Sequence, residues 1–337
     1  MLVFSAAVLL LPFFLYAHEV YVLTPEEILH GLVTPPASPT HVMMENFSQF
    51  MFWAIVTGIA LPTLFLMSLS RRIERVFTPF FARTRKYALH LVRIGVGASL
   101  LTFAYAGAVF GPELPLQGVF GAYSSLVMAM LAAAGAAILF NTYSRLGGAL
   151  LLAVYIGALF GRGAYVFTYI EYAAAGIFFL VGDASAAGGG ATWQRIQKKL
   201  EKFRPYRFLI LRVGFGLSVM FASIYAKVIY GTLALTVVEK YDLTSYWLFS
   251  SFSPEFLVLG AAIVEFLCGL LIALGIEVRH TAVFLAFWLT LSLAYFQEMV
   301  WPHIILFGLG GAFFLYGYDW YSIEGRFFKY GNREAVL

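Results

Sequence analysis

Charged residues and cysteines are both scarce in this chain of 337 residues. Only 12% of the residues are charged, whereas 61% are hydrophobic and the mean hydropathy is +0.83. This composition excludes a soluble globular protein and is typical of a polytopic membrane protein, whose surroundings are the lipid bilayer. The single cysteine, Cys268, lies inside an apolar run, so the sequence has neither a disulfide framework nor a thiolate metal site.

Several other signals are also missing from the sequence. The net charge is +4, but the basic residues lie in short loops and form no stripe, which excludes nucleic acid as a partner. The glycine run at residues 188–190 lacks the Lys-Ser/Thr that a phosphate-binding loop requires. No histidine pair with haem-ligand spacing is present, so the sequence gives no haem or nucleotide signal.

The first 17 residues form an apolar stretch that is too short for a comfortable membrane span. We interpret residues 1–17 as a secretory signal peptide that ends at Ala17. An uncleaved anchor is the alternative, because no basic residue precedes the stretch and Leu15 occupies a position that favours a small residue. Either interpretation makes residues 18–46 an exported segment.

Nine longer apolar runs follow, each close to the ~20 residues that a ~30 Å hydrocarbon core requires. They cover residues 47–70, 87–110, 121–141, 146–161, 164–182, 207–231, 255–275, 279–296 and 302–318. The runs are continuously apolar and do not alternate, which predicts helices and not barrel strands. The sequence therefore predicts an all-α integral membrane protein with about nine transmembrane helices.

The basic residues concentrate in alternate loops, for example at residues 71–86 and 193–207. The positive-inside rule makes these loops cytoplasmic. It also places residues 18–46 outside and the tail at 320–337 inside. The prediction is a multi-pass protein of the plasma or inner membrane.

The sequence contains an internal repeat. Three pairs of segments match in the same order: RIGVGASLLTFAYAGAVFG (93–111) with RVGFGLSVMFASIYAKVIYG (212–231), AAAGAAILFNTYSR (132–145) with FLCGLLIALGIEVR (266–279), and GIFFLVGD (176–183) with GAFFLYGYD (311–319). We predict two tandem four-helix bundles, a first repeat at 87–183 and a second at 207–319. A basic linker at 184–206 joins them, and an additional helix at 47–70 precedes them.

The repeats are parallel, because each contains four spans. Many secondary transporters instead have inverted repeats with helices broken at the binding site. The glycines of the present repeats fit close helix packing, so a small-solute transporter is the least favoured function.

Ionisable residues within the apolar runs are the first candidates for function, because a charged side chain at a helix centre costs about 2.5–3.5 kcal/mol. Glu265 lies about ten residues into its run, at a depth of ~15 Å. It either locks two helices together as a hydrogen-bonded acid or takes part in proton transfer or ligand binding. Lys227, on the preceding run, either points inward as its counter-ion or extends to the outer interface. The aligned residue in the first repeat is Leu131, so the second repeat is the predicted working half.

Three further polar residues are candidates for ligand binding. Glu171 lies inside the fifth run close to several tyrosines, and Glu298 and His303 flank the start of the last run. With Lys227 and Glu265 they are predicted to line one outward-facing polar pocket. For His303 the alternative is an interfacial side chain at a helix start.

The exported segment contains His18, His30 and His41. Cleavage after Ala17 would give His18 a free amine beside its imidazole, a combination that chelates copper. The spacing of the histidines matches no compact metal motif, so solvated polar side chains are the alternative.

Three motifs of the second repeat resemble a known family. They are LRVGFGLSVMFASIYAK (211–227), EFLCGLLIALG (265–275) and YGYDWYSIE (316–324). In their order and in the placement of Arg212, Lys227 and Glu265 they resemble the DoxX/DoxD family of small four-helix membrane proteins. The first repeat resembles that family only weakly, and the additional N-terminal helix departs from its pattern.

The resemblance implies a quinone-associated redox component. The best-defined members form the membrane part of thiosulfate:quinone oxidoreductases, and others act with thiol or oxidative-stress systems. On this basis Glu265 is the proton acceptor or the partner of a quinone oxygen, Lys227 is its counter-ion, and Arg212 is a ligand-binding residue. The electrons would come from an exported redox partner, because the chain has no second cysteine. The main alternative is a non-enzymatic assembly protein with a copper-binding exported segment.

Overall fold

The computed structural model describes residues 71–182, 199–229, 231–245 and 253–328, together with Leu23, Glu27 and Met51. In this part of the chain, six helical segments are long and apolar enough to cross a membrane, and Trp301–Tyr316 is a shorter apolar helix. The prediction of an all-α membrane protein is therefore confirmed.

The helices are α1 (Arg71–Thr84), α2 (Ala88–Ala106), α3 (Leu116–Phe120), α4 (Ser124–Leu139), α5 (Ser144–Arg162), α6 (Ile170–Leu180), α7 (Arg207–Ile224), α8 (Gly231–Lys240), α9 (Pro254–Leu274), α10 (Val278–Phe296) and α11 (Ile304–Tyr316). Two short antiparallel strands, β1 (Ala108–Val109) and β2 (Gly111–Pro115), form a hairpin after α2. A 3₁₀ segment, Gly163–Tyr169, precedes α6, and a π-helical turn, Tyr225–Ile229, continues α7.

Eight of these helices coincide with predicted runs, namely α2, α4, α5, α6, α7, α9, α10 and α11. Gly163 lies between the fourth and fifth runs and has a φ of 61°, a conformation that glycine adopts without steric cost. The run at 47–70 lies outside the described residues except for Met51, so the count of nine stays a prediction. The proposed signal peptide also lies outside them.

Two segments that were predicted as loops contain helices. In α1, the Phe81 ring packs against Phe314, and the guanidinium of Arg279 lies 3.9 Å from the centre of the Phe81 ring. In α8, the buried side chains recur one helical turn apart, at Leu233 and Val237. Each helix is amphipathic, with too few apolar residues to appear as a continuous apolar run.

The chain divides into two compact units. Unit 1 comprises Met1–Leu66, Val219–Cys268 and Phe287–Glu298, and unit 2 comprises Met67–Ser218, Gly269–Ala286 and Met299–Leu337. The boundaries fall within α7, α9 and α10, so this division does not follow the two repeats.

Within unit 2, aligned positions of the two repeats make equivalent helix contacts. A Cβ atom on Gly97 of α2 would lie 3.0 Å from the carbonyl oxygen of Gly135 on α4. A Cβ atom on Gly216 of α7 would overlap the carbonyl oxygen of Gly269 on α9. Because Gly135 and Gly269 are aligned, the first two spans of each repeat approach each other at the same place.

The fourth span of each repeat is held by an arginine at the start of the third span. The Arg145 guanidinium donates two hydrogen bonds, at 3.0 and 2.7 Å, to the carbonyl oxygen of Gly182 after α6. The Arg279 guanidinium lies beside Gly317 after α11, so closely that a Cβ atom there would be 2.5 Å from it. Each arginine thus fills the space at the C-terminal end of a helix, where a cation is favourable.

The two repeats also interlock within unit 2. A Cβ atom on Gly95 of α2 would lie 2.7 Å from the Cα atom of Gly308 on α11. A Cβ atom on Gly214 of α7 would overlap the Cβ atom of Ala174 on α6. The first span of each repeat therefore packs against the last span of the other, with a glycine at each contact.

We predict that Gly216→Ala destabilises the protein by about 1–3 kcal/mol, the usual cost of overpacking a close contact. The added methyl group would overlap the Gly269 carbonyl oxygen and lie 2.8 Å from the Ala273 Cβ atom. Denaturant unfolding in detergent micelles measures the change. Gly231→Ala is the matched control, because no atom of the described residues lies within 4 Å of its added Cβ atom. Equal losses in the two variants would contradict the prediction.

Candidate functional site

Lys227 lies in the π-helical turn that continues α7. Such turns inside α-helices are rare and are found frequently at functional sites. The Lys227 side chain is 1% exposed, so it points into the protein and does not extend to the surface.

The carboxylate of Glu265 on α9 faces this lysine. Lys227 Nζ donates a hydrogen bond to Glu265 Oε2 over 2.8 Å, and the Glu265 side chain is 6% exposed. Both residues belong to unit 1. Lys227 therefore points inward and pairs with Glu265, which is one of the two orientations that the sequence left open.

Pairing lowers the free-energy cost of burying these two charges. Either ion alone would carry a desolvation penalty of several kcal/mol, and their mutual attraction in a medium of low polarity offsets much of it. A second contact fixes the same two helices, because Ser223 Oγ donates to the carbonyl oxygen of Ala262 at 2.7 Å. Ser223 is one helical turn before Lys227, and Ala262 is three residues before Glu265, so this bond helps to align the pair.

Cys268 lies three residues after Glu265 on the same helix and is buried. Residues at this spacing share one face of a helix. The Cys268 thiol therefore lies on the same face of α9 as the Glu265 carboxylate.

Glu298 also belongs to unit 1. Its carboxylate accepts a hydrogen bond from the hydroxyl of Ser292, and both residues are buried. Ser292 lies on α10, so this hydrogen bond connects Glu298, which follows α10, to the last turns of that helix.

His303 belongs to unit 2 and is 0% exposed. Its Nδ1 atom donates to the carbonyl oxygen of Met299 at 3.0 Å. Pro302 is also buried, and the two residues form the 3₁₀ turn that begins α11. The ring is therefore directed into the protein, and its role as a ligand-binding or interfacial residue stays a prediction.

Arg212 holds the C-terminal end of α9. Its guanidinium donates to the carbonyl oxygens of Ile272 and Ala273, at 3.0 and 3.1 Å, and to that of Tyr321 at 3.2 Å. The last carbonyl groups of a helix have no partner within the helix. Arg212 satisfies two of them, which gives it a structural role; its binding of a ligand stays a prediction.

The predicted site residues are divided between the two compact units. Lys227, Glu265 and Glu298 lie in unit 1, and Glu171, Arg212 and His303 lie in unit 2. One pocket lined by all the acids, the lysine and the histidine stays a prediction. His18, His30 and His41 lie outside the described residues, within which no group of three metal-binding side chains occurs.

A further acid, Glu113 on β2, was not predicted as a site residue. The hydroxyl of Tyr165 donates to Glu113 Oε1 at 2.9 Å, and the Tyr169 hydroxyl donates to the same atom. Burial raises the pKa of Glu113, and the two tyrosine hydrogen bonds oppose this rise only in part. A single acid in a short loop between apolar runs was the available sequence signal, but only the fold brings the tyrosines to it.

The fold and the buried ion pair together define an all-α, multi-pass membrane protein with a charged site inside its helices. Residues 208–298 match the DoxX family model. This segment contains Lys227 and Glu265, so the resemblance to DoxX is confirmed for the part of the chain that carries the pair. Searches of curated proteins and of solved structures each gave no match.

We predict that Lys227→Met and Glu265→Leu each destabilise the protein by about 3–5 kcal/mol, because each leaves one buried charge without its partner. Leucine is the residue that the first repeat has at the aligned position, Leu131. The double variant removes both charges and should lose much less than the sum of the two single changes. Denaturant unfolding of all four proteins in micelles gives the coupling energy, and additive losses would contradict the pairing.

A second prediction concerns the pH dependence of stability. The pKa of Glu113 is raised above its ordinary value of 4.5, so the folded state binds this proton more tightly than the unfolded state. The stabilisation from neutral Glu113 is complete below the pKa that this group has in the unfolded chain. It is lost as the pH rises through the pKa of Glu113 in the folded protein. Glu113→Gln keeps an acceptor for the tyrosines but cannot ionise. The melting temperature of the wild type should therefore fall relative to that of this variant as the pH rises from about 4.5. A difference that does not change with pH would contradict the prediction.

Proposed function

We propose that the protein is a membrane redox component that binds a quinone at the Lys227–Glu265 pair and takes electrons from an exported thiol or sulfur donor. The observation that supports this most directly is the buried 2.8 Å ion pair inside the segment that matches DoxX. A carboxylate and an ammonium group at membrane depth are the groups that protonation of a lipid-soluble carrier requires.

The pair suits the chemistry of a quinone. Quinone oxygens accept hydrogen bonds, and the Lys227 ammonium donates them and favours the negative charge that develops on oxygen during reduction. Glu265 is ionised while it is paired with Lys227, so it must take up a proton before it can pass one to that oxygen as a general acid. Six and two residues before Lys227, the rings of Phe221 and Tyr225 stack with their centres 5.9 Å apart, which adds aromatic surface to this part of the chain.

The electrons and protons of the proposed reaction balance when the donor supplies two thiols. Reduction of a quinone to a quinol consumes two electrons and two protons. Oxidation of two thiols to a disulfide releases two electrons and two protons. Cys268 is the only cysteine, so the chain cannot supply a dithiol of its own and depends on a separate donor. In this scheme Glu265 takes up and delivers protons, and Lys227 holds the quinone oxygen.

We predict that Glu265→Gln lowers thiol-dependent quinone reduction by about 10²-fold or more, the range for loss of a general acid. Purified protein is supplied with a short-chain quinone and a thiol, and quinol formation is followed by absorbance. Quinone that copurifies with the protein is extracted and quantified in parallel. Glu255→Gln is the matched control, because Glu255 lies in the first turn of the same helix. Unchanged reduction and unchanged quinone content in Glu265→Gln would reject the proposed function.

A further inference from the structure

Glu171 is a second buried acid, and it lies in unit 2. It is the second residue of α6, and it is 3% exposed. Among the described residues, its Oε2 atom is buried and has no hydrogen-bond partner. An ionised carboxylate in such a place normally needs donors or a cation.

The hydrogen bonds around Ser218 show which protonation state of Glu171 the site fits. The Ser218 hydroxyl interacts with the Glu171 carboxyl group. That hydroxyl has one hydrogen, and it donates it to the carbonyl oxygen of Thr168 at 2.5 Å. The Ser218 oxygen can then only accept a hydrogen bond from Glu171. Glu171 can donate that bond only when its carboxyl group is protonated.

Three other hydroxyl groups near Glu171 also donate elsewhere. Tyr155, which interacts electrostatically with Glu171, donates to the carbonyl oxygen of Val166 at 3.1 Å. Thr168 Oγ1 donates to the carbonyl oxygen of Tyr165 at 2.7 Å. Tyr169, two residues before Glu171, donates to Glu113. The backbone N–H of Glu171 also donates to its carboxyl group, and the carbonyl oxygen of a neutral acid accepts such a bond as well.

The arginines on the neighbouring helices α5 and α7 are directed to other groups. Arg145 donates to Gly182, Arg207 lies over the Phe178 ring, and Arg212 holds the end of α9. The guanidinium of Arg162 lies beside Gly118, where a Cβ atom would be 2.9 Å from it. Within the described residues Glu171 therefore has no cationic partner, in contrast to Glu265.

The position of Glu171 in the first turn of α6 favours negative charge through the helix dipole. This effect is smaller than the desolvation penalty of a buried carboxylate without a counter-ion. The neutral form therefore has the lower free energy at this position.

We propose that Glu171 is a proton-binding site: a neutral carboxylic acid that donates to Ser218 and exchanges its proton with water. Glu171 is the second residue of α6, and the 3₁₀ segment Gly163–Tyr169 precedes that helix. The Lys227–Glu265 pair is in the opposite state, with its acid ionised against a lysine.

A hydrophobic carbodiimide tests the proposal, because such reagents attach to protonated carboxyl groups in apolar surroundings. The full-length protein is treated in micelles at neutral pH, and the modified peptides are identified by mass spectrometry. The adduct is expected on Glu171 and not on Glu265, and it should be lost in Glu171→Gln. Protection by sodium or potassium ions would overturn the proposal, since the carboxylate would then be the ligand of a metal cation.

Infrared spectroscopy tests the same site without a reagent that must reach it. The wild type should show the carbonyl stretch of a protonated carboxylic acid at neutral pH, and this band should shift in heavy water. Glu171→Gln should lose the Glu171 component of the band, whereas the control Glu255→Gln should keep it. If no protonated-acid band depends on Glu171, or if the band does not shift in heavy water, the proposal is wrong.

Discussion

The free-energy cost of leaving a polar group unsatisfied in an apolar interior is the constraint on which this structure depends. Lys227 and Glu265 satisfy it as an ion pair with both side chains nearly inaccessible. Arg212 satisfies it by binding the carbonyl groups at the end of α9, and Arg145 does the same after α6. These four charged residues thus either hold helix ends or form the candidate site.

The two repeats share an architecture but differ in chemistry. The glycine contacts between their first two spans are equivalent, and the first span of each packs on the last span of the other. This scaffold needs small residues at fixed positions but does not need Glu265, since Leu131 occupies the aligned position in the first repeat. The first repeat instead carries its acid, Glu171, on the fourth span. An acid can thus be placed at different points of one scaffold, and its neighbours decide its charge.

Sequence reasoning predicted the helices that are continuously apolar, because a bilayer-spanning run is a local property of composition. It did not predict α1 and α8, whose apolar residues recur only once per turn. For the site, depth in the run singled out Glu265 and Lys227 but left two orientations open for the lysine. The burial of His303 was not predicted, since it depends on the 3₁₀ turn at Pro302. Glu113 was not predicted as a site residue, since the tyrosines that bind it are about fifty positions away in the sequence.

The sequence alone therefore determined the class of protein, the positions of most helices, and the two residues with the greatest cost of burial. The tertiary structure decided which groups those residues meet. Lys227 meets Glu265 because α7 and α9 pack side by side, with Ser223 bonded to Ala262 beside the pair. Glu171 instead meets a hydroxyl group whose hydrogen is already donated to Thr168. Hydropathy is a sum over neighbouring residues, whereas the charge of a buried acid depends on contacts between distant ones, and only the fold sets those contacts.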